Sequence, residues 1–127
     1  DLFHYGHVNF LRQARSHGDF LLVGIHADET VESYKRTPIL TMKERIASVE
    51  GCRYVDEVVP NAPLEITREW IEKHNIDLIM HGDDVSSETR NTWYSVPIEM
   101  GIYQSVGYTQ GISTTELILR IKSTELG

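Results

Sequence analysis

Phe20-Leu21-Leu22-Val23-Gly24-Ile25 is an apolar run set between Gly18-Asp19 and His26. Its length and its unbroken hydrophobicity read as a buried strand. Outward from it the pattern returns at Val55 to Val59, at Ile76 to Met80 and, more weakly, at Tyr103 to Val106. Amphipathic segments fill the intervals. Val8, Leu11 and Ala14 share one helical face after His7, and Ile66, Trp70 and Ile71 mark a further helix ending before Asn75. Thr41-Met42-Lys43-Glu44 has the form of a capping box ahead of Ile46 and Val49, and Ser113-Thr114-Thr115-Glu116 repeats it ahead of Leu117, Ile118 and Ile121. Pro60 and Pro63 bracket a loop after the second strand. Strands alternating with helices predict an α/β fold, a doubly wound parallel sheet with helices on both faces, in one domain spanning 1–127. A first strand is expected ahead of Asp1, because a dense motif begins only three residues later. In such sheets ligands settle outside the carboxyl ends of the strands.

The bulk composition narrows the class. The chain has 127 residues, 40% hydrophobic and 24% charged, with 12 Lys and Arg against 19 Asp and Glu and a net charge of -7. An acidic chain without a basic face argues against nucleic acid as a partner. The longest apolar stretch, Phe20 to Ile25, is strand length and far too short for a membrane span. Cys52 is the only cysteine, so no internal disulfide exists, and an intracellular, cytoplasmic setting is expected.

His4-Tyr5-Gly6-His7 stands where a helix begins. Backbone N–H groups and the positive dipole end are available there to an anion. Gly6 removes a side chain and lets a phosphate approach the backbone, and two imidazoles three apart reach one phosphoryl group as donors. A metal-binding His-x-x-His pair and a plain surface helix start are the competing readings, although zinc would need further ligands. Gly111-Ile112-Ser113-Thr114-Thr115 repeats the logic near the other end, a glycine leading into a hydroxyl-capped helix. Taken alone, Ser113 and Glu116 simply cap a helix. Together the two starts are suited to gripping a triphosphate from opposite ends.

Asp1-Leu2-Phe3-His4-Tyr5-Gly6-His7 together with Gly111 through Thr115 resembles the cytidylyltransferase family, and the similarity covers nearly the whole chain. Arg53-Tyr54-Val55-Asp56-Glu57-Val58-Val59 resembles its internal strand motif, and His74-Asn75-Ile76-Asp77 with Gly82-Asp83-Asp84 its base-binding segment. The resemblance implies a Rossmann-like fold and transfer of CMP from CTP to a small phosphorylated alcohol, with pyrophosphate leaving and magnesium as cofactor. It implies that His4 and His7 stabilise the transition state at the α-phosphorus and that Lys35 bridges the phosphates of both substrates. Asp83 would meet the cytosine amino group. Gly6, Gly111, Ile112, Ser113 and Thr114 would hold the nucleotide. Asp1 would line the acceptor pocket or help to hold magnesium, and Tyr94, in Asn91-Thr92-Trp93-Tyr94, would face the acceptor. Asp56 and Glu57 would support a homodimer contact.

Departures from the family pattern bear on substrate choice. Tyr108 stands where the family usually has an arginine, and a tyrosine does not neutralise phosphate charge. This leaves an ATP-using adenylyltransferase, or a catalytically silent nucleotide-binding module, as rivals. Leu64 replaces an aromatic with which the choline enzymes complete a cage, while Tyr5, Leu11 to Arg15 and Gly18-Asp19 look most like the ethanolamine-phosphate branch. Phosphoethanolamine or a similar primary amine is therefore the expected acceptor. His26 and His81 end strands, where histidine is often only structural.

Overall fold

The apolar runs become four short parallel strands: β1 (Leu22–Ile25), β2 (Glu57–Pro60), β3 (Ile79–Gly82) and β4 (Tyr103–Val106). The computed structural model describes residues 1–83, 85–107 and 109–124. β1 pairs with β2 in the register Leu22 opposite Glu57 through Ile25 opposite Pro60. β3 pairs with β4, Ile79 opposite Tyr103 through Gly82 opposite Val106. The fold is the expected α/β class with parallel strands, but the expected continuous sheet is divided into these two separate pairs among the described residues. Hydrophobic runs fix which residues form strands; they do not fix which strands become neighbours. β1, β2 and β3 also start later than the runs that announce them. At the head of β1 the Leu21 carbonyl accepts from Asp56 and Glu57, and the Asp56 carboxylate takes the Leu21 N–H at 2.7 Å and pairs with Arg15 at 3.2 Å. Asp56 is thereby occupied in joining β1, β2 and the end of the first helix.

The helices are α1 (Tyr5–Arg15), α2 (Asp28–Glu32), α3 (Met42–Glu50), α4 (Arg68–Lys73), α5 (Ser87–Trp93), α6 (Ser95–Glu99) and α7 (Thr114–Lys122). α1 starts ahead of His7 and includes it. The box at α3 closes in both directions, Glu44 N–H to the Thr41 hydroxyl and Thr41 N–H to the Glu44 carboxylate. At α7 only the Ser113 half forms, since the Glu116 carboxylate turns to Arg120 one turn on. α4 is capped by Thr67 and stops at Asn75, whose φ of 52° is the left-handed conformation that ends helices and that asparagine tolerates.

The core gathers Ile66, Ile71, Ile79 and Tyr94, with Trp70, Ile76, Trp93, Val96, Met100, Ile102 and Tyr103 packed against it. Each fully buried side chain of this size contributes roughly 1.5–3 kcal/mol. The cluster ties α4, α5 and α6 to the β3–β4 pair. It leaves the carboxyl ends of β1 and β3, with the loops behind them, to form a site. Among the described residues no helix is long and apolar enough to cross a membrane.

Candidate active site

The start of α1 is capped by two imidazoles. His4 is the N-cap, and its Nδ1 accepts the Gly6 N–H at 3.1 Å; His7, three residues on, turns its own Nδ1 back to accept the His4 N–H at 3.2 Å. This is a capping box in which both side chains are rings. An Nδ1 that accepts carries no proton, so each neutral ring holds its proton on Nε2, at the side of the ring away from the helix backbone. The two rings stack with centroids 3.9 Å apart, and Phe3 lies parallel to His7 at 5.7 Å. Burial pushes the His7 pKa down to about 4, assisted by the neighbouring charges of His4 and Lys35. His4 is lowered by burial. At neutral pH the pair is therefore two adjacent neutral Nε2–H donors.

The second glycine-led helix start meets the first. A Cβ built on Gly6 would lie 2.9 Å from the His4 ring and 3.1 Å from the Ile112 side chain, so only glycine lets α1 and the residues leading into α7 close on each other. Asn9 donates to the Thr109 hydroxyl at 3.1 Å and Gln13 reaches the Gly107 carbonyl, holding this loop along α1. Gly111, at φ 81°, makes the turn that ordinary residues avoid, and its carbonyl is held by Arg120. Ser113 caps α7 by accepting the Glu116 N–H at 3.0 Å, which leaves its O–H as a donor. Ile112 is buried, so what that residue offers a phosphate is its backbone. Gly6→Ala is expected to force the His4 ring off its cap. The expected cost is about 1–3 kcal/mol of stability, read in thermal melts, with turnover falling further than the melt alone explains. A wild-type melt and rate would show that the close approach is not needed.

Lys35 follows α2 on an exposed segment. Its Nζ rests 5.7 Å from the Tyr34 ring, and its charge contributes to lowering both His7 and His26. The Tyr34 ring meets Trp93 edge-on at 5.0 Å, and its hydroxyl is 3.2 Å from His26 Nδ1. Asp1 stands at the far side of this segment. Its two carboxylate oxygens accept the N–H groups of Ile39 at 2.7 Å and Leu40 at 3.0 Å, so it clasps the loop before α3. Tyr94 sits in the core, 7% exposed, between His81 and Tyr103, and its neighbour Trp93 is the ring that faces Tyr34. Asp83, just past β3, is set by its N–H to the Val106 carbonyl, and its carboxylate lies beside Gly107. Tyr108 and Asp84 lie outside the described residues.

A cavity of about 250 Å³ runs under this arrangement, lined at its polar end by Asp1, His7, His26, Arg45 and Ser48 and elsewhere by residues such as Phe10 and Val23. No group of three His, Cys, Asp or Glu gathers among the described residues to cage a metal ion. Tyr34, Arg120 and above all the buried Arg45 belong to this region and are not singled out by the motifs. Only the adjacency of Arg45 to the capping residue Glu44 hinted at a fixed position.

The chain matches the family model described as cytidylyltransferase-like over residues 1–126. It is 44% identical to the ethanolamine-phosphate cytidylyltransferase of Dictyostelium discoideum, across 99% of this chain and 36% of the relative. With the enzyme of the same name from Arabidopsis thaliana it shares 49% identity across 95% of this chain and 30% of the relative. The chain thus spans about a third of the length of the curated relatives it matches. In fold it is similar to the lipopolysaccharide core biosynthesis protein from Thermoplasma volcanium GSS1, with a TM-score of 0.65 and 23% identity over 84% of this chain and 86% of that one.

Proposed function

The chain belongs to the cytidylyltransferase-like family, and from that premise we propose that it transfers CMP from CTP to a small phosphorylated alcohol, phosphoethanolamine being favoured, with release of pyrophosphate. The observation that supports this most is the contact between the two helix starts, Gly6 against Ile112. It puts paired imidazole donors and a hydroxyl-capped turn beside one another, as a chain of phosphates requires. An oxygen of the acceptor's phosphate attacks the α-phosphorus, forming a new P–O bond while the bond to the bridging β-phosphate oxygen breaks. The electron pair leaves with pyrophosphate, and no covalent enzyme intermediate is needed. His4 and His7 donate from Nε2 to the α-phosphoryl oxygens. The Ser113 hydroxyl and the backbone at Gly111 to Thr114 hold the departing phosphates, and the Lys35 ammonium follows the charge as it moves. Asp83 accepts from the cytosine amino group.

Magnesium fits as an ion held chiefly by substrate phosphates, because the Asp1 oxygens are engaged by backbone N–H groups and Asp28 by Arg45. When bound, it neutralises triphosphate charge. The acceptor reading draws on the names of the two relatives and on the aromatic faces of Tyr34 and Trp93, which favour a cationic head group. Leu64 in place of an aromatic favours a primary amine over a quaternary one. A cytoplasmic homodimer belongs to the same reading. The test is pyrophosphate release with CTP and with ATP, each offered phosphoethanolamine, phosphocholine and glycerol 3-phosphate. CTP with phosphoethanolamine is expected to give the highest kcat/KM. Preference for ATP, or CTP binding with no product from any acceptor, overturns the proposal.

A further inference from the structure

Arg45 is the one charged side chain that is buried among the described residues, at 8% exposure. Taking a guanidinium out of water is costly unless its partners offset the loss, so what it holds together matters. Its Nη1 donates to the His26 carbonyl at 2.8 Å, and its Nη2 donates to the Asp28 carboxylate and to the Met42 sulfur. Three elements therefore meet on one side chain: the residue after β1, the first residue of α2 and the first residue of α3. Its Nε–H finds no partner among the described residues. A cation placed for stability alone would be expected to satisfy all of its buried donors. Here the ring of contacts suits the elements it joins better than it suits the guanidinium.

α2 needs such an anchor. It is five residues long, its N-cap Ala27 offers no side-chain bond, and Val31 is its only buried residue. The Val31 carbonyl accepts the N–H of Tyr34 and of Lys35, so the orientation of α2 passes directly to the lysine. At the other end of the segment the Asp1 carboxylate holds Ile39 and Leu40. Lys35 stands on a strap fixed at two points and is itself exposed.

We propose that Arg45 is a positioning residue, which fixes α2 through His26 and Asp28 so that Lys35 reaches the phosphates served by His4 and His7. The inference rests on the transfer reaction proposed above for the role of Lys35; the fixing of the strap is tested apart from it. Arg45→Lys keeps the charge but does not span both partners, and Asp28→Asn loosens the same contact from the exposed side. Each is expected to lower kcat/KM by about a hundredfold, as a misplacement of order 1 Å does. In a Lys35→Ala background the same changes are expected to cost less than about threefold, because the residue they position is gone. Hydrogen exchange is expected to rise in residues 28–41 and to stay at wild-type level in α4 and α6. Full multiplication of the losses in the double variants, or exchange rising throughout the chain, overturns the proposal in favour of a general structural role. So does failure of both variants to fold. If the wild-type chain transfers nothing, the reaction falls while the exchange pattern still decides whether Arg45 fixes the strap.

Discussion

His7→Asn is expected to fold nearly as well as the wild type and to lose turnover by about a thousandfold, the loss typical when a preorganised donor to a reacting oxyanion is removed. The two nitrogens of His7 carry separate duties. Nδ1 accepts the His4 N–H and closes the cap of α1, and an asparagine oxygen can take its place. Nε2, the proposed donor to phosphate, has no counterpart in asparagine. His7→Gln reverses the exchange: its amide reaches the Nε2 position but leaves the cap open, costing about 1 kcal/mol while retaining part of the rate. Thermal melts and single-turnover rates of the two variants are therefore expected to move in opposite order. Equal loss of rate in both, in proportion to their melts, would show that His7 serves only the helix. The pH dependence follows from the same geometry. Between 6.5 and about 4 the unfolded chain binds a proton on His7 that the folded chain refuses. The stability linked to this residue is therefore complete above 6.5 and is lost as pH falls toward 4. Acid must place that proton on Nδ1, the atom that closes the cap. Between about pH 6 and 8 no inflection in kcat/KM is expected from this ring.

Much of the architecture is legible in the residues, for physical reasons. β4 falls on the expected Tyr103 to Val106, and the Thr41 box closes as read, since both depend on contacts within a few residues. Local rules lose force where the partner is distant. Phe20 leads the decisive apolar run yet is 62% exposed and outside β1, because pairing begins only where Glu57 lies opposite Leu22. Glu116 has the right spacing to complete a cap, but Arg120, one turn on, competes for its carboxylate.

The site divides in the same way. His4, His7, Gly6 and Ser113 are legible because their chemistry lies in a helix start, which is a local object. That Gly6 abuts Ile112, 106 positions away, is a fact of tertiary structure. Asp1 has the right residue type for a substrate or metal contact, but which N–H groups reach it depends on how the segment before α3 folds back. Arg45 is the furthest from view: the capping motif contains its neighbour Glu44, and only burial shows that the guanidinium organises the elements around it.

Lys35→Ala is expected to lower kcat/KM by about a hundredfold or more, with the melting temperature falling by no more than about 4 °C. The side chain is exposed and rests against the face of Tyr34 at 5.7 Å. Such a cation–π contact is worth about 0.5–1 kcal/mol at an exposed site. A phosphate oxygen arriving at about 4 Å attracts the ammonium by roughly 4 kcal/mol per unit charge at the effective dielectric of a protein surface. The phosphate attraction is the larger, so the lysine is expected to leave the ring when a triphosphate binds. Lys35→Arg keeps the charge but is expected to recover only part of the rate, because a planar fork does not track moving oxygens as a compact ammonium on a flexible stem does. Raising the ionic strength is expected to slow the wild type more than the alanine variant, since only the wild type has this exposed charge to screen. Equal salt slopes together with an undiminished rate in Lys35→Ala would remove the lysine from the chemistry and leave the triphosphate to the two helix starts alone.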